Sequence, residues 1–80
     1  MIKTGMLWHD SSKKPLDAKI KAAVEYYTIK YGAHPDMCYV HPKMLPPILP
    51  EVPGVTVRAN QSVLPDHIWI GVNSTPGGEQ

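Results

Sequence analysis

Residues 15–32 read PLDAKIKAAVEYYTIKYG, and this stretch decides the fold. Pro15 suits the first turn of a helix, where its missing N–H costs nothing. With Pro15 as the first helical residue, the cap position falls on Lys14, while Ser12 is the better chemical cap. Leu16, Ile20, Ala23, Val24, Tyr27 and Tyr31 recur at spacings of three and four, which gathers them into one apolar stripe. Gly32 supplies the expected left-handed stop, and Pro35 prevents the helix from restarting. A helix with a single apolar stripe needs a partner layer, and the flanking sequence supplies strands.

Upstream, Ile2 to His9 reads as a strand, with Ile2, Thr4, Met6 and Trp8 on one face and Lys3, Gly5, Leu7 and His9 on the other. Asp10-Ser11-Ser12 is turn and capping chemistry. Downstream, Asp36 to His41 reads as a second strand around the apolar run Met37-Cys38-Tyr39-Val40, as expected of a strand covered on both faces. Strand, helix, strand in this order predicts a right-handed crossover with the first two strands parallel. The alternative is an α+β arrangement, with the helix laid across an antiparallel sheet.

Pro42, Pro46, Pro47, Pro50 and Pro53 exclude a central strand or a long helix between Pro42 and Gly54, leaving at most a single helical turn around Pro42 to Leu45. Pro47, Pro50 and Pro53 have the three-residue period of polyproline II. The intervening Ile48, Leu49 and Val52 are too apolar for a free ligand, so the segment is expected to pack along the protein's own sheet. Val55 to Ala59 and His67 to Val72 complete the strands; in the latter, Ile68, Ile70 and Val72 alternate with His67, Trp69 and Gly71. The expected fold is therefore α/β (or α+β). It is a two-layer β-α-β-β-β domain over 1–72, with one main helix (about 15–31) on a small mixed sheet of about four strands. Residues 73–80 read as a flexible C-terminal tail.

Eighty residues suffice for one domain. A chain of this size buries only about 60–65% of its unfolded surface, so any site is a shallow groove or a shared surface rather than an enclosed chamber. The net charge of +1 gives no whole-molecule steering toward nucleic acid or acidic membranes. Charge is nevertheless uneven: residues 13–30 carry five lysines against Asp17 and Glu25, a local balance of +3, and residues 31–80 balance at −2. The single Cys38 cannot form an internal disulfide. Without an apolar run of membrane-spanning length or a signal-peptide pattern at the start, no membrane role is expected and the cytoplasm is the default compartment.

Several constellations bear on function. His9, His34, His41, His67 and Cys38 raise the question of metal. Cys38 and His41 have a turn-like spacing, but on a strand they point to opposite faces, so no metal site and no cofactor are expected. If the first two strands are parallel neighbours, their carboxyl ends bring His9, Asp10 and His41 to one side of the sheet. There they are the candidate catalytic residues, a His–Asp set able to do acid–base work. No nucleophile elbow and no phosphate-binding glycine loop accompany them. The helix lysines do not form one stripe and lack arginine, which makes nucleic acid the less favoured partner, although Tyr26, Tyr39 and Trp69 offer stacking surfaces.

One helix can cover only one face of a four-stranded sheet. Trp8, Trp69 and Tyr39 are accordingly the candidate ligand or partner surface. The leading reading is a small non-enzymatic interaction module that binds a protein partner or self-associates. The alternatives are a small ligand-binding or hydrolytic domain with the strand-end His/Asp site, and a weak nucleic-acid binder using the helix lysines.

Overall fold

The computed structural model describes residues 2–73, and the side chains of residues 5–72. In chain order the elements are β1 (Ile2–His9), α1 (Leu16–Tyr31), β2 (Met37–Val40), a 3-10 turn (Pro42–Met44), β3 (Thr56–Ala59) and β4 (His67–Asn73). The architecture is α+β: one helix packs on a mixed four-stranded sheet of order β1-β4-β2-β3. Residues 74–80, most of the expected tail, lie outside the described residues.

The strand order corrects one expectation. β1 and β2 run in the same direction, but they are not neighbours, because β4 lies between them and is antiparallel to both. The parallel neighbours are β2 and β3. The reason lies in the side chains. β2 (MCYV) and β4 (HIWIGVN) carry large apolar groups on both faces and take the two central places. β3 has Thr56, Arg58 and Ala59 exposed around a buried Val57, a pattern suited to an edge.

The helix begins one position later than expected. Pro15 is itself the N-cap, in extended conformation (φ −64°, ψ 155°), and makes no side-chain capping bond. Its carbonyl accepts from Ala18 N–H at 3.1 Å and Lys19 N–H at 3.2 Å, which closes the first turn. Neither Lys14 nor Ser12 caps the helix; the Ser12 hydroxyl instead accepts from Lys14 N–H at 3.4 Å. At the other end Gly32 adopts φ +69° and donates to Thr28 O at 2.9 Å, the left-handed stop expected there. Ile20, Ala23 and Tyr27 are fully buried against the sheet, while Tyr31 at the end of the stripe is exposed. Lys19, outside the stripe, is buried too: its alkyl stem packs inward and its ammonium donates to Asp10 O at 3.0 Å.

The proline segment lies beside the helix, not across the other side of the sheet. Val52 joins the core with Ile20, Ala23 and Tyr27, and Met44, Leu45 and Val55 pack against that core. Val52-Pro53-Gly54-Val55 forms a tight turn closed by Val55 N–H to Val52 O at 3.0 Å, with Gly54 at φ +77°. The positive φ favours glycine at 54, and a Cβ there would also stand 3.3 Å from His34 Cε1, a tight contact to which the exposed imidazole would have to yield. The expected packing along the sheet holds for Val52, whereas Ile48 and Leu49 project outward and are exposed.

Candidate functional site

The cross-strand register assigns every sheet residue to a face. Residues paired directly across strands point the same way. Met6, Ile70 and Cys38 form one row, and Trp8, Ile68 and Val40 the next, with Val57 beside Cys38. All of these pack with Ile20, Ala23 and Tyr27 and therefore face the helix. Trp8 belongs to this covered side. Its ring lies 5.2 Å from that of Tyr26, and its indole N–H is buried without a hydrogen-bond acceptor. The expectation that Trp8 shares an uncovered face with Trp69 does not hold, because its partner across β1 and β4 is Ile68.

The opposite face carries the complementary set. Leu7 pairs with Trp69, Trp69 with Tyr39, and Tyr39 with Arg58, a single row running across all four strands. Leu7 is 57% exposed, Arg58 is exposed, and the two aromatic rings between them are half-buried. The adjoining row toward the carboxyl end of β1 is His9 and His67, whose ring centroids are 4.7 Å apart. α1 and Val52 of the proline segment both pack on the other side. Trp69 and Tyr39 are thus neighbours on the face the helix leaves open, as the alternation in β4 and the position of β2 make them.

The strand-end residues are only partly brought together. His9 meets His67, which was not among the candidates, and His41 follows Val40, the residue paired with Ile68. The rings of His67 and His41 are each tied to their own turn. His67 Nδ1 lies 2.9 Å from Pro65 O and, facing a carbonyl, is the nitrogen that donates. His41 Nδ1 accepts from Lys43 N–H at 3.0 Å, capping the 3-10 turn, so its bare nitrogen is already used. Asp10 turns away from both: its Oδ1 accepts from Ser12 N–H at 2.9 Å. Those hydrogen bonds from Ser12 hold the Asp10 carboxyl below its ordinary pKa, against a small opposing effect of burial and with help from Lys19 and Lys14. Among the described residues no hydrogen bond links Asp10 to His9 or His41, so the acid–base set expected from a parallel pair of strands is not assembled.

Among the described residues, the lone thiol is buried and the metal-ligating side chains are dispersed. Cys38 is fully buried, and burial pushes its thiol up to about 12, so it stays protonated and unreactive. Among the described residues no three His, Cys, Asp or Glu side chains gather closely enough to hold a metal ion. Surface hollows of about 640 and 420 Å³ lie between the helix start and the proline segment, and between Val24, Ile29 and Pro53. Neither is lined by a candidate residue. No helix among the described residues is long and apolar enough to cross a membrane.

No protein family, curated protein or solved structure matches the chain. Of the residues that matter at the open face, Trp69 and Tyr39 were legible as candidates. Leu7, Arg58 and His67 were not, since only the strand order puts them in line. The alternation of His67 with Ile68 on β4 was the one available signal for His67.

Proposed function

We propose that the protein is a non-enzymatic interaction module whose contact surface is the open face of the sheet, centred on Trp69 and Tyr39. One observation carries the reading: the row Leu7, Trp69, Tyr39, Arg58 crosses all four strands on the side away from the helix. Neither aromatic side chain belongs to the core cluster under the helix, although Met37, on the same face two residues before Tyr39, is buried. Aromatic residues and arginine are also the types enriched where proteins bind partners. Neither of the hollows described above is lined by Trp69 or Tyr39, which suits a macromolecule better than a small substrate in an enclosing pocket.

The test uses the two tryptophans as opposed probes. A Trp8→Phe variant reports Trp69 alone, and a Trp69→Phe variant reports Trp8 alone. The reading expects Trp69 to be readily quenched by acrylamide and Trp8 to be protected. Equal protection of both indoles would mean that the face is covered, and the proposal would fall.

A further inference from the structure

We infer that the open face binds single-stranded nucleic acid, with unpaired bases stacked on Trp69 and Tyr39 and a phosphate held by Arg58. This rests on the reading of the open face as the contact surface and names its partner class.

The positions of the face favour this occupant. Trp69 and Tyr39 are directly paired on the two central strands, so the strand spacing of about 4.8 Å sets two ring systems side by side. Base–aromatic stacking needs a flat, accessible ring and tolerates any base, because every base has a π-face. Arg58 is the cross-strand neighbour of Tyr39 on the edge strand β3, where its guanidinium is exposed. A guanidinium there can fork onto a phosphate whose base lies over the ring. The next row adds the imidazoles of His9 and His67, ring systems that also stack on bases.

The charge pattern argues the same way. Of the residues in register on this face between His9 and Thr56, none is a carboxylate, although the chain has seven Asp and Glu in all. Asp17 and Glu25 are on the helix, Asp10, Asp36, Glu51 and Asp66 are in connections outside the strands, and Glu79 lies outside the described residues. A polyanion meets Arg58 and, among the described residues in register on this face, no carboxylate. A second copy docking face to face would offer Arg58 no carboxylate among the residues in register on that face. Duplex nucleic acid offers no unpaired base to stack on the two rings.

The experiment titrates single-stranded oligonucleotides, oligo-dT and oligo-U, into the Trp8→Phe protein at low salt while following Trp69 fluorescence. The expected result is saturable quenching, since a stacked base relaxes the indole excited state. The logarithm of affinity should fall with the logarithm of salt with a shallow slope, about −0.7 for one phosphate contact. Arg58→Gln should flatten that slope. Tyr39→Ala should weaken binding about tenfold or more, from the worth of a single base stack. Tyr39→Ala is read alongside its unfolding midpoint, and Arg58→Gln, an exposed change, supplies the reading if the alanine variant is unstable. Lys21→Gln with Lys30→Gln on the helix should leave affinity unchanged. Binding abolished by the lysine changes but indifferent to Tyr39 and Arg58 would overturn the inference. So would quenching of Trp69 that depends on the protein's own concentration, with a doubling of mass, and not on oligonucleotide; the open face would then survive as a contact surface with a different occupant. A Trp69 that responds to neither and is shielded from acrylamide would remove both the inference and the reading beneath it.

Discussion

Trp69 and Ile70 are adjacent in β4, and they belong to two different worlds. Ile70 has no exposed surface and touches a core built from Ile20, Tyr27, Cys38 and Val40. Trp69 stands on the other side among Leu7, Tyr39 and Arg58. The covered face is apolar throughout its centre, with Lys19 reaching its rim only to place an ammonium on Asp10 O. The open face mixes aromatic, cationic and imidazole groups. A central strand with large apolar groups on both sides can thus hold the fold with one set and offer the other outward. Apolar character alone does not separate the two roles; the position of the single helix does.

Truncating these two neighbours separates the faces most strongly. Ile70→Ala should cost about 3–4 kcal/mol, the transfer loss plus an unfilled cavity in a fully packed site. Trp69→Thr keeps a strand-compatible side chain and should cost no more than about 1 kcal/mol. Urea unfolding of both variants with an unchanged dependence on denaturant measures the gap. Equal losses would show that Trp69 is structural and that the two faces do the same job.

Next in size is an alkaline limb that belongs to the covered face alone. Burial raises the Cys38 thiol from 9.0 to about 12. The Tyr27 hydroxyl is raised above its ordinary 10.0, first by burial and then by Tyr31 and Asp36, with a backbone hydrogen bond at Val72 opposing. Both groups bind protons more tightly when folded, so their contribution is whole below the unfolded value and is lost as pH climbs toward the folded one. Stability should therefore begin to fall above pH 9 through Cys38, by at most about 1.4 kcal/mol per pH unit. Tyr27 adds to the loss above pH 10. In Cys38→Ala the first part of that fall should vanish. An unaltered alkaline profile in this variant would mean the thiol is not buried as described.

Much of the fold was legible because it is written locally. The spacing of Leu16, Ile20, Ala23 and Tyr27, and Gly32 after Tyr31, need no tertiary information. The helical turn after His41 and the two late strands follow from prolines and alternation in the same way. Strand order is not local. A crossover leaving β1 can land beside it or one place further, and both satisfy the same helix. That one step decided the site: with β4 between β1 and β2, His9 meets His67 and not His41, and Trp8 joins Ile68 under the helix. Lys19 was hidden for another reason, since a long cationic side chain reads as solvated until a carbonyl is found at its tip.

Lys19 gives an intermediate prediction at the border of the covered face. Lys19→Met keeps the packing stem and removes the donor to Asp10 O, and it should cost about 1 kcal/mol. Lys19→Ala should cost more, because the stem is lost as well. If methionine is as costly as alanine, the ammonium bond holds the chain there and the stem does not. A gain in stability with methionine would show instead that burying the charge outweighs its bond.

The smallest effect is expected at Leu7, and it is the most informative about the open face. Leu7 is a large apolar side chain on edge strand β1, more than half exposed, whose covered-face neighbours Met6 and Trp8 both pack against the core. Changing it to threonine removes apolar surface that water already reaches and keeps a residue favoured in strands, so stability should stay within about 0.5 kcal/mol. The change nevertheless removes one end of the row that leads through Trp69 and Tyr39 to Arg58. Leu7→Thr should therefore leave the unfolding curve in place while making the protein's surface less sticky, read as weaker retention on a hydrophobic interaction column. Met6→Thr, one residue away on the buried side, should do the reverse: a lower unfolding midpoint and unchanged retention in the native state. A pair of variants that shift both measurements together would mean that the sheet has no separable faces, and the division of labour argued for Trp69 and Ile70 would fail at the edge where it is easiest to see.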